Sequence, residues 1–344
     1  MAVKEYNLLA FYQQYIKDTA KGKRTKPNGE LIKPQSVNNY NYTFNLLQEF
    51  EQLYEYPLRI KEYSRLNSRE RVSEANYWKK FNQKFMNYLY SYRKVYDNYA
   101  GTVVKQIKAF FRYVNNERLI DTGPYYKSLK AMKEEVPVTA LSRENLIQLI
   151  YDKEFEQLLA PNLQISKDMF VFGCTVALRF SDLSALISAN FELQDGQWYM
   201  KTLSKKTKTY VTVKLPAYAV DILLKYRTNT KKPLFRKISL LNFNKHLKLL
   251  GEQMGLIQPV IRARSRKGII QDTKEKAPRF CDLMSSHLMR RTAITNMLTL
   301  GMPEVLIKHI SGHIGNSKSF YRYVNYSQAY MNTELDKVYA NMGA

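Results

Sequence analysis

Three of the four histidines of this 344-residue chain lie between positions 287 and 313. In the sequence SSHLMRR, His287 precedes Arg290 by three residues, so both side chains share one face of a helix. A helix N-terminus that carries imidazole and guanidinium groups attracts phosphate. No cysteine or carboxylate is spaced to complete a metal site here, so zinc is not expected. The pattern favours metal-free chemistry on an anionic group.

Capping and breaker residues predict the elements that hold this cluster. Ser285 or Ser286 is expected to cap a helix that begins at His287, Gly301 to end it, and Pro303 to start the next. Upstream, GQWYMKTL and TYVTVKL flank the polar turn SKKTK, which predicts a β-hairpin around 196–215. Further helices are predicted over 141–154, 166–178, 216–227, 239–253, 286–300, 303–310, 317–326 and 328–340. Residues 261–280 are basic and are expected to be irregular.

The N-terminal part has a helical hydrophobic period. Helices are predicted over 7–18, 36–54, 74–93 and 98–120, so residues 1–120 are expected to be all-helical. The last of these helices carries a basic stripe of Lys105, Lys108 and Arg112, which is either a DNA-binding face or an ordinary solvated face. Gly123, Pro124 and Pro137 break the pattern and predict a linker over 121–140, with a second domain over 141–344.

The net charge of +24 extends over both parts, +10 in residues 1–140 and +14 in residues 141–344. A basic surface this wide indicates a polyanionic partner, first of all nucleic acid. An apolar content of 45% excludes wholesale disorder, and no apolar run is long enough to span a membrane. Two cysteines, Cys174 and Cys281, make no disulfide framework, which favours a cytoplasmic protein.

Several ordered motifs resemble those of the tyrosine recombinases, the phage-integrase family. They are ALRFSDLSAL at 177–186, SKKTKTYVTVKL at 204–215, HLMRRTAIT from 287, then ISGH and SFYRYV. The resemblance covers nearly the whole chain. It implies a mainly α fold with a small β-hairpin: a helical, SAM-like core-binding domain over 1–120 and a mixed α/β catalytic domain with a C-terminal helix over 141–344.

The resemblance also implies roles for individual residues. The catalytic set would be Arg179, Lys206, His287, Arg290, His313 and Tyr323. The two arginines would bind the non-bridging oxygens of a phosphodiester. One histidine would take the proton of the tyrosine, and the hairpin lysine would protonate the departing 5′-oxygen. A covalent phosphotyrosyl intermediate then conserves the bond energy, so neither ATP nor a metal is needed.

Some assignments remain open at the level of sequence. Lys205 and Lys208 compete with Lys206, and Tyr321 competes with Tyr323, because the loop after GH is one residue longer than usual in the family. Arg291 is expected to contact DNA or form a salt bridge. His309 is expected to be structural, His246 to lie on a helix surface, and Asp182 to hold Arg179.

The sequence therefore predicts a site-specific DNA recombinase, an integrase of a mobile element or phage that acts on duplex DNA in the nucleoid. The resemblance implies a homotetramer with a Holliday-junction intermediate. The last helix, 332–342, would dock on a neighbouring protomer or pack in its own chain. Alternatives are a non-catalytic DNA-binding protein of the same fold, a basic RNA-binding protein, and a topoisomerase or telomere resolvase.

Overall fold

A computed structural model gives the structure of the protein. It describes residues 3–26, 28–204, 209–228, 232–272, 277–313, 320–323, 332, 335, 336, 338–340 and 342. The chain divides into two compact units. The first contains Met1–Val136 and Ala263–Asp272, and the second contains Pro137–Arg262 and Thr273–Ala344. Within the described residues, no helix is long and apolar enough to cross a membrane.

The first unit is built mainly from four helices. These are α1 (Leu8–Ala20), α2 (Pro34–Tyr54), α3 (Ser68–Asn87), continued by a π-helical turn over Tyr88–Tyr92, and α4 (Asp97–Asn116). Aromatic side chains dominate its core, among them Tyr12, Phe50, Phe81 and Phe110. Helix α3 begins at a capping box in which Asn67 and Glu70 bond each other's backbone N–H groups.

Two short antiparallel ribbons in this unit were not predicted; the first corrects the all-helical prediction for residues 1–120, and the second corrects the irregular structure expected over 261–280. Strands β1 (Glu5–Asn7) and β2 (Arg59–Lys61) pair near the N-terminus. Strands β6 (Arg264–Arg266) and β7 (Ile269–Gln271) form a hairpin in the segment expected to be irregular. Three-residue strands are too short for a period of two to be visible in the sequence. Positive φ angles at Lys267 (52°) and Gly268 (77°) suit a tight hairpin turn.

The hairpin is held by two buried carboxylates of its own unit. Asp97 accepts hydrogen bonds from the backbone N–H groups of Lys267 (2.9 Å) and Gly268 (3.0 Å). Glu134 pairs with the Arg264 guanidinium at 2.8 Å. Ala263–Asp272 therefore belongs to the first unit, although the sequence predicted a single C-terminal domain over 141–344.

The second unit surrounds a larger apolar core. Its helices are α5 (Arg143–Tyr151), α6 (Lys153–Leu158), α7 (Pro161–Val176), α8 (Phe180–Leu183), α9 (Ala217–Tyr226), α10 (Leu240–Gln253), α11 (Phe280–Leu283), α12 (Ser286–Thr299) and α13 (Glu304–Ile310). A three-stranded antiparallel sheet has the order β3 (Phe191–Gln194), β4 (Gln197–Leu203), β5 (Tyr210–Lys214). The predicted hairpin is β4–β5. The buried helix α7 packs against α12. The C-terminal end of α7 and the N-terminal end of α12 carry the residues of the site.

Candidate active site

A cavity of about 230 Å³ in the second unit brings together most of the predicted catalytic residues. Its lining is Val138, Arg179, His287, Arg290, Arg291, His313, Arg322 and Tyr323. Four arginines and two histidines around one small volume produce a strongly positive site. Such a site is electrostatically suited to a phosphate group.

Arg290 lines this cavity and is only 2% exposed. Helix α12 begins at Ser286, one residue earlier than predicted, with Ser285 as its N-cap. The Arg290 Nη1 donates to the carbonyl of Ala177 at 3.0 Å, and Nη2 lies 3.2 Å from both ring nitrogens of His313. Burial, and then the neighbouring charge of Arg179, lowers the pKa of Arg290 to about 10. In the free site the charged form of Arg290 is therefore destabilised, and a bound anion would stabilise it.

Arg179 is positioned by a sharp change of chain direction after α7. The helix ends at Ala177, which adopts a left-handed conformation with φ of 55°, and Arg179 is the N-cap of α8. Its Nη1 donates to the Ser204 hydroxyl at 3.3 Å, and that hydroxyl donates to the buried Asp182 carboxylate at 3.4 Å. Asp182 was predicted to hold Arg179. It does so through Ser204, which bonds both side chains.

Ser204 immediately precedes the turn of the β4–β5 hairpin. Lys206, the predicted leaving-group acid, and its competitors Lys205 and Lys208 lie outside the described residues. The assignment of the lysine therefore stays a prediction. Strand β4 ends at Leu203, and Ser204 bonds Arg179 at the cavity.

The two histidines differ in their surroundings. The side chain of His287 is exposed in the first turn of α12, whereas His313 follows the end of α13 and is half-buried. Burial and then the charges of Arg291, Arg290 and other cations lower the pKa of His287 to about 4. Burial and then Arg290 and Arg179 lower the pKa of His313 to about 3. At neutral pH both imidazoles of the free protein are therefore neutral and have a nitrogen able to accept a proton.

Of the two candidate tyrosines, Tyr323 belongs to the cavity. It is 6% exposed, and its ring centroid lies 6.2 Å from that of His313. Tyr323 also forms a hydrogen bond with Arg290. This bond raises the pKa of Arg290, although burial and Arg179 lower that pKa overall. Tyr321 is 38% exposed, and its hydroxyl accepts a hydrogen bond from the Lys308 Nζ at 3.1 Å. The geometry favours Tyr323 as the residue that meets a bound phosphate.

Sequence reasoning missed Ser204, Arg322 and Ser311 as contributors to this site. Ser311 stands two residues before His313 and contacts its ring at 2.7 Å. The only sequence signal was its position inside ISGH, since a serine there carries no distinctive spacing of its own. His246, which the sequence predicted on a helix surface, is half-buried on α10, where it contacts Ser166 at 2.8 Å, and it does not line this cavity.

The predicted DNA-contacting residues lie in both units. Lys105 and Lys108 on α4 line a cavity of about 390 Å³ in the first unit, together with Lys130 and Lys133, which the sequence had not singled out. Arg112 is exposed on the same helix but does not line that cavity. Arg291 lines the active-site cavity of the second unit. The residues that the structure describes contain no cluster of three His, Cys, Asp or Glu side chains able to hold a metal ion.

No family model matches the chain, and no curated protein does. Among solved structures, however, the chain has the fold of the tyrosine recombinases. The identities to them are 12–14%, so the likeness establishes the fold.

Three solved structures represent this likeness. The XerH site-specific recombinase bound to its palindromic difH substrate gives a TM-score of 0.60 at 14% identity, covering 97% of this chain and 85% of that one. Lambda integrase bound to a core site gives 0.56 at 13% identity, covering 94% and 96%. The Tn1549 transposon integrase in complex with circular-intermediate DNA gives 0.55 at 12% identity, covering 96% and 99%.

Proposed function

We propose that the protein is a site-specific DNA recombinase, an integrase that cleaves and rejoins DNA strands through a covalent 3′-phosphotyrosyl intermediate. One observation carries the proposal: Arg179, Arg290, His287, His313 and Tyr323, which are scattered over the sequence, line one cavity. The fold shared with DNA-bound recombinases is consistent with it.

The chemistry follows from the charge that develops on the phosphate. When the Tyr323 oxygen attacks phosphorus, negative charge grows on the non-bridging oxygens, and the guanidiniums of Arg179 and Arg290 neutralise it. These groups are already charged and in place, so little reorganisation is needed. The Tyr323 proton passes to a neutral imidazole, and the 5′-oxygen of the broken ester leaves with a proton from Lys206.

The resulting ester between tyrosine and the 3′-phosphate is the intermediate. A 5′-hydroxyl from a second strand attacks it, the tyrosine leaves with a proton, and the DNA backbone is restored. Bonds broken and formed are of the same kind, so no external energy source is required. Lys105, Lys108 and Arg112 would bind backbone phosphates away from the reacting one, and Arg291, which lines the cavity, would bind DNA beside it.

We further propose that four protomers act on two duplexes through a Holliday junction. The large apolar side chains that the structure describes in the C-terminal segment, Leu335, Val338, Tyr339 and Met342, are 43–75% exposed. An apolar cavity of about 600 Å³ in the second unit, lined in part by Ile147 and Leu300, is a candidate receiving surface on a neighbouring protomer. Truncation at Asn332 should abolish tetramers on DNA in analytical ultracentrifugation; unchanged tetramers would contradict docking between protomers.

The central experiment uses duplexes that the protein selects from a randomised DNA library. Each selected site is rebuilt with a nick near the cleavage position, so that the covalent adduct is trapped. The expected result is a protein–DNA adduct that forms in EDTA and disappears in Tyr323→Phe. Sequence-specific binding without any adduct would favour a non-catalytic DNA-binding protein. Relaxation of supercoiled DNA that lacks the selected site would favour a topoisomerase.

A further inference from the structure

Ser311 is a buried residue, 2% exposed, in the turn that carries His313. Its Oγ lies 2.5 Å from the carbonyl oxygen of Ile307 and 2.7 Å from Nδ1 of His313. The next nearest partner, the carbonyl of Lys308, is 3.4 Å away. A serine hydroxyl has one proton to donate, and a carbonyl oxygen can only accept.

These contacts fix the direction of each hydrogen bond. The Ser311 proton goes to the Ile307 carbonyl, the bond from a serine to the carbonyl four residues earlier that is common in helices. Without that proton, two oxygen lone pairs would face each other at 2.5 Å. The Ser311 oxygen therefore accepts from the imidazole, which places the ring proton of His313 on Nδ1.

The other ring nitrogen is then the one that remains free of a proton. Arg290 Nη2 lies 3.2 Å from both ring nitrogens, but it can donate only to a lone pair, and that lone pair is on Nε2. The titratable groups around the ring come from several elements: Arg290 and His287 from α12, Arg179 from the start of α8, and Lys308 from α13. Burial, and then the charges of Arg290 and Arg179, lower the pKa of His313 and keep its ring neutral. The Tyr323 ring packs beside it.

We propose that Ser311 is a positioning residue of the active site, which holds His313 as the Nδ1–H tautomer so that Nε2 faces the reacting groups. The identity of those groups, a DNA phosphate and the Tyr323 hydroxyl, rests on the proposed function. When a phosphate enters, Arg290 Nη2 moves its hydrogen bond from Nε2 to a phosphate oxygen, and Nε2 takes the proton that the Tyr323 hydroxyl gives up as its oxygen attacks phosphorus. Nδ1–H keeps its bond to Ser311 throughout, so the ring does not rotate.

The second unit contains a matched control for this arrangement. Ser166 is 1% exposed, its Oγ donates to the carbonyl of Asn162 at 3.0 Å, and it lies 2.8 Å from Nδ1 of His246. Like Ser311, Ser166 is buried, donates to the carbonyl four residues earlier and contacts Nδ1 of a histidine. It lines a different cavity, of about 280 Å³, which shares no residue with the active site.

The first test measures the tautomer in the free protein, without DNA. The chain has four histidines, so ¹⁵N-histidine labelling and long-range ¹H–¹⁵N NMR give four ring spectra. The wild type is expected to show the Nδ1–H tautomer for His313. Ser311→Ala should move the His313 ring towards the Nε2–H form and leave His246 unchanged. Ser166→Ala should change the spectrum of His246 and leave His313 unchanged. An Nε2–H tautomer in the wild type, or a His313 spectrum unaffected by Ser311→Ala, overturns the proposal.

The second test measures single-turnover cleavage of a nicked duplex between pH 5.5 and 9. Ser311→Ala is expected to slow cleavage about fivefold, the effect of losing one orienting hydrogen bond, and to displace the pH profile. The Kd for DNA should stay within twofold. Ser311→Thr, which retains the hydroxyl, should restore the profile, and Ser166→Ala should not alter it. An unchanged profile in Ser311→Ala overturns the positioning role. Absence of cleavage by the wild type contradicts the proposed recombinase function. It does not bear on the tautomer of His313, which the NMR spectra decide alone.

Discussion

Replacing Arg290 by methionine should separate the stability of the protein from its activity. Most buried cations are held by a carboxylate, so removing them leaves an unpaired buried charge. Arg290 instead faces Arg179 and a carbonyl oxygen. We therefore expect Arg290→Met to abolish cleavage while leaving the free energy of unfolding nearly unchanged.

The magnitude follows from two opposing contributions. Lowering the Arg290 pKa from 12.5 to about 10 means that the folded state opposes its charge by about 3 kcal/mol. Removing the guanidinium recovers this amount but loses its hydrogen bonds to the Ala177 carbonyl and to His313, which together contribute about 3 kcal/mol. The net change should lie within about 1 kcal/mol of zero. Cleavage should fall by about 10²–10³-fold, because the charge acts on the transition state.

Lys167→Met is the matched control in the same unit. Lys167 is 4% exposed and pairs with the buried Asp168 at 2.9 Å and with Glu156 at 3.2 Å. Its removal takes away one of three partners of Asp168, which keeps Lys225 and Tyr226 at 2.8 Å each, so the cost should be that of the lost charged hydrogen bonds, about 2 kcal/mol. Urea unfolding followed by tryptophan fluorescence measures both variants, because Trp198 on β4 reports on the second unit.

Inorganic phosphate provides an independent check. At a concentration of 100 Kd it should stabilise the wild type by about 2.7 kcal/mol, and the stabilisation should be much smaller in Arg290→Met. If Arg290→Met lost as much stability as Lys167→Met, Arg290 would be a structural cation and the electrostatic reasoning would fail. The same conclusion would follow if Arg290→Met cleaved DNA at the wild-type rate.

Three further outcomes are expected. Tyr323→Phe should eliminate the covalent adduct while Tyr321→Phe keeps it, as read on denaturing gels; the reverse result would move the nucleophile. Because the pKa of His313 is about 3 in the folded protein and 6.5 in the unfolded chain, its contribution to stability is complete above pH 6.5 and is lost as the pH falls towards 3. His313→Gln should therefore flatten the acid side of a urea-midpoint profile, and an unchanged acid limb would count against the shift. Exchanging Lys105 and Lys108 for alanine should reduce the slope of log K against log salt by about 0.9 per lost phosphate contact; an unaltered slope would exclude both from the DNA interface.

Local patterns were sufficient to predict much of the fold. The helical period located α1, α2 and α4, and the alternating period located the β4–β5 hairpin, because each is a long, regular signal within one stretch of chain. The ribbons β1–β2 and β6–β7 were missed, since their strands have three residues each. The buried partners Asp97 and Glu134, which hold the second ribbon, are far from it in sequence.

For the site, the sequence by itself determined the residue types and their order: two arginines, two histidines and a tyrosine in motifs that resemble one family. The preference for Tyr323 over Tyr321 depends on the tertiary structure, because these residues, two apart in the chain, face different neighbours: Tyr323 packs beside His313 and Tyr321 bonds Lys308. The contact between Ser311 and His313, from which the tautomer is proposed, is likewise visible only in the tertiary structure. Hydrogen-bond direction depends on distances of a few tenths of an ångström, and residue spacing carries no record of them.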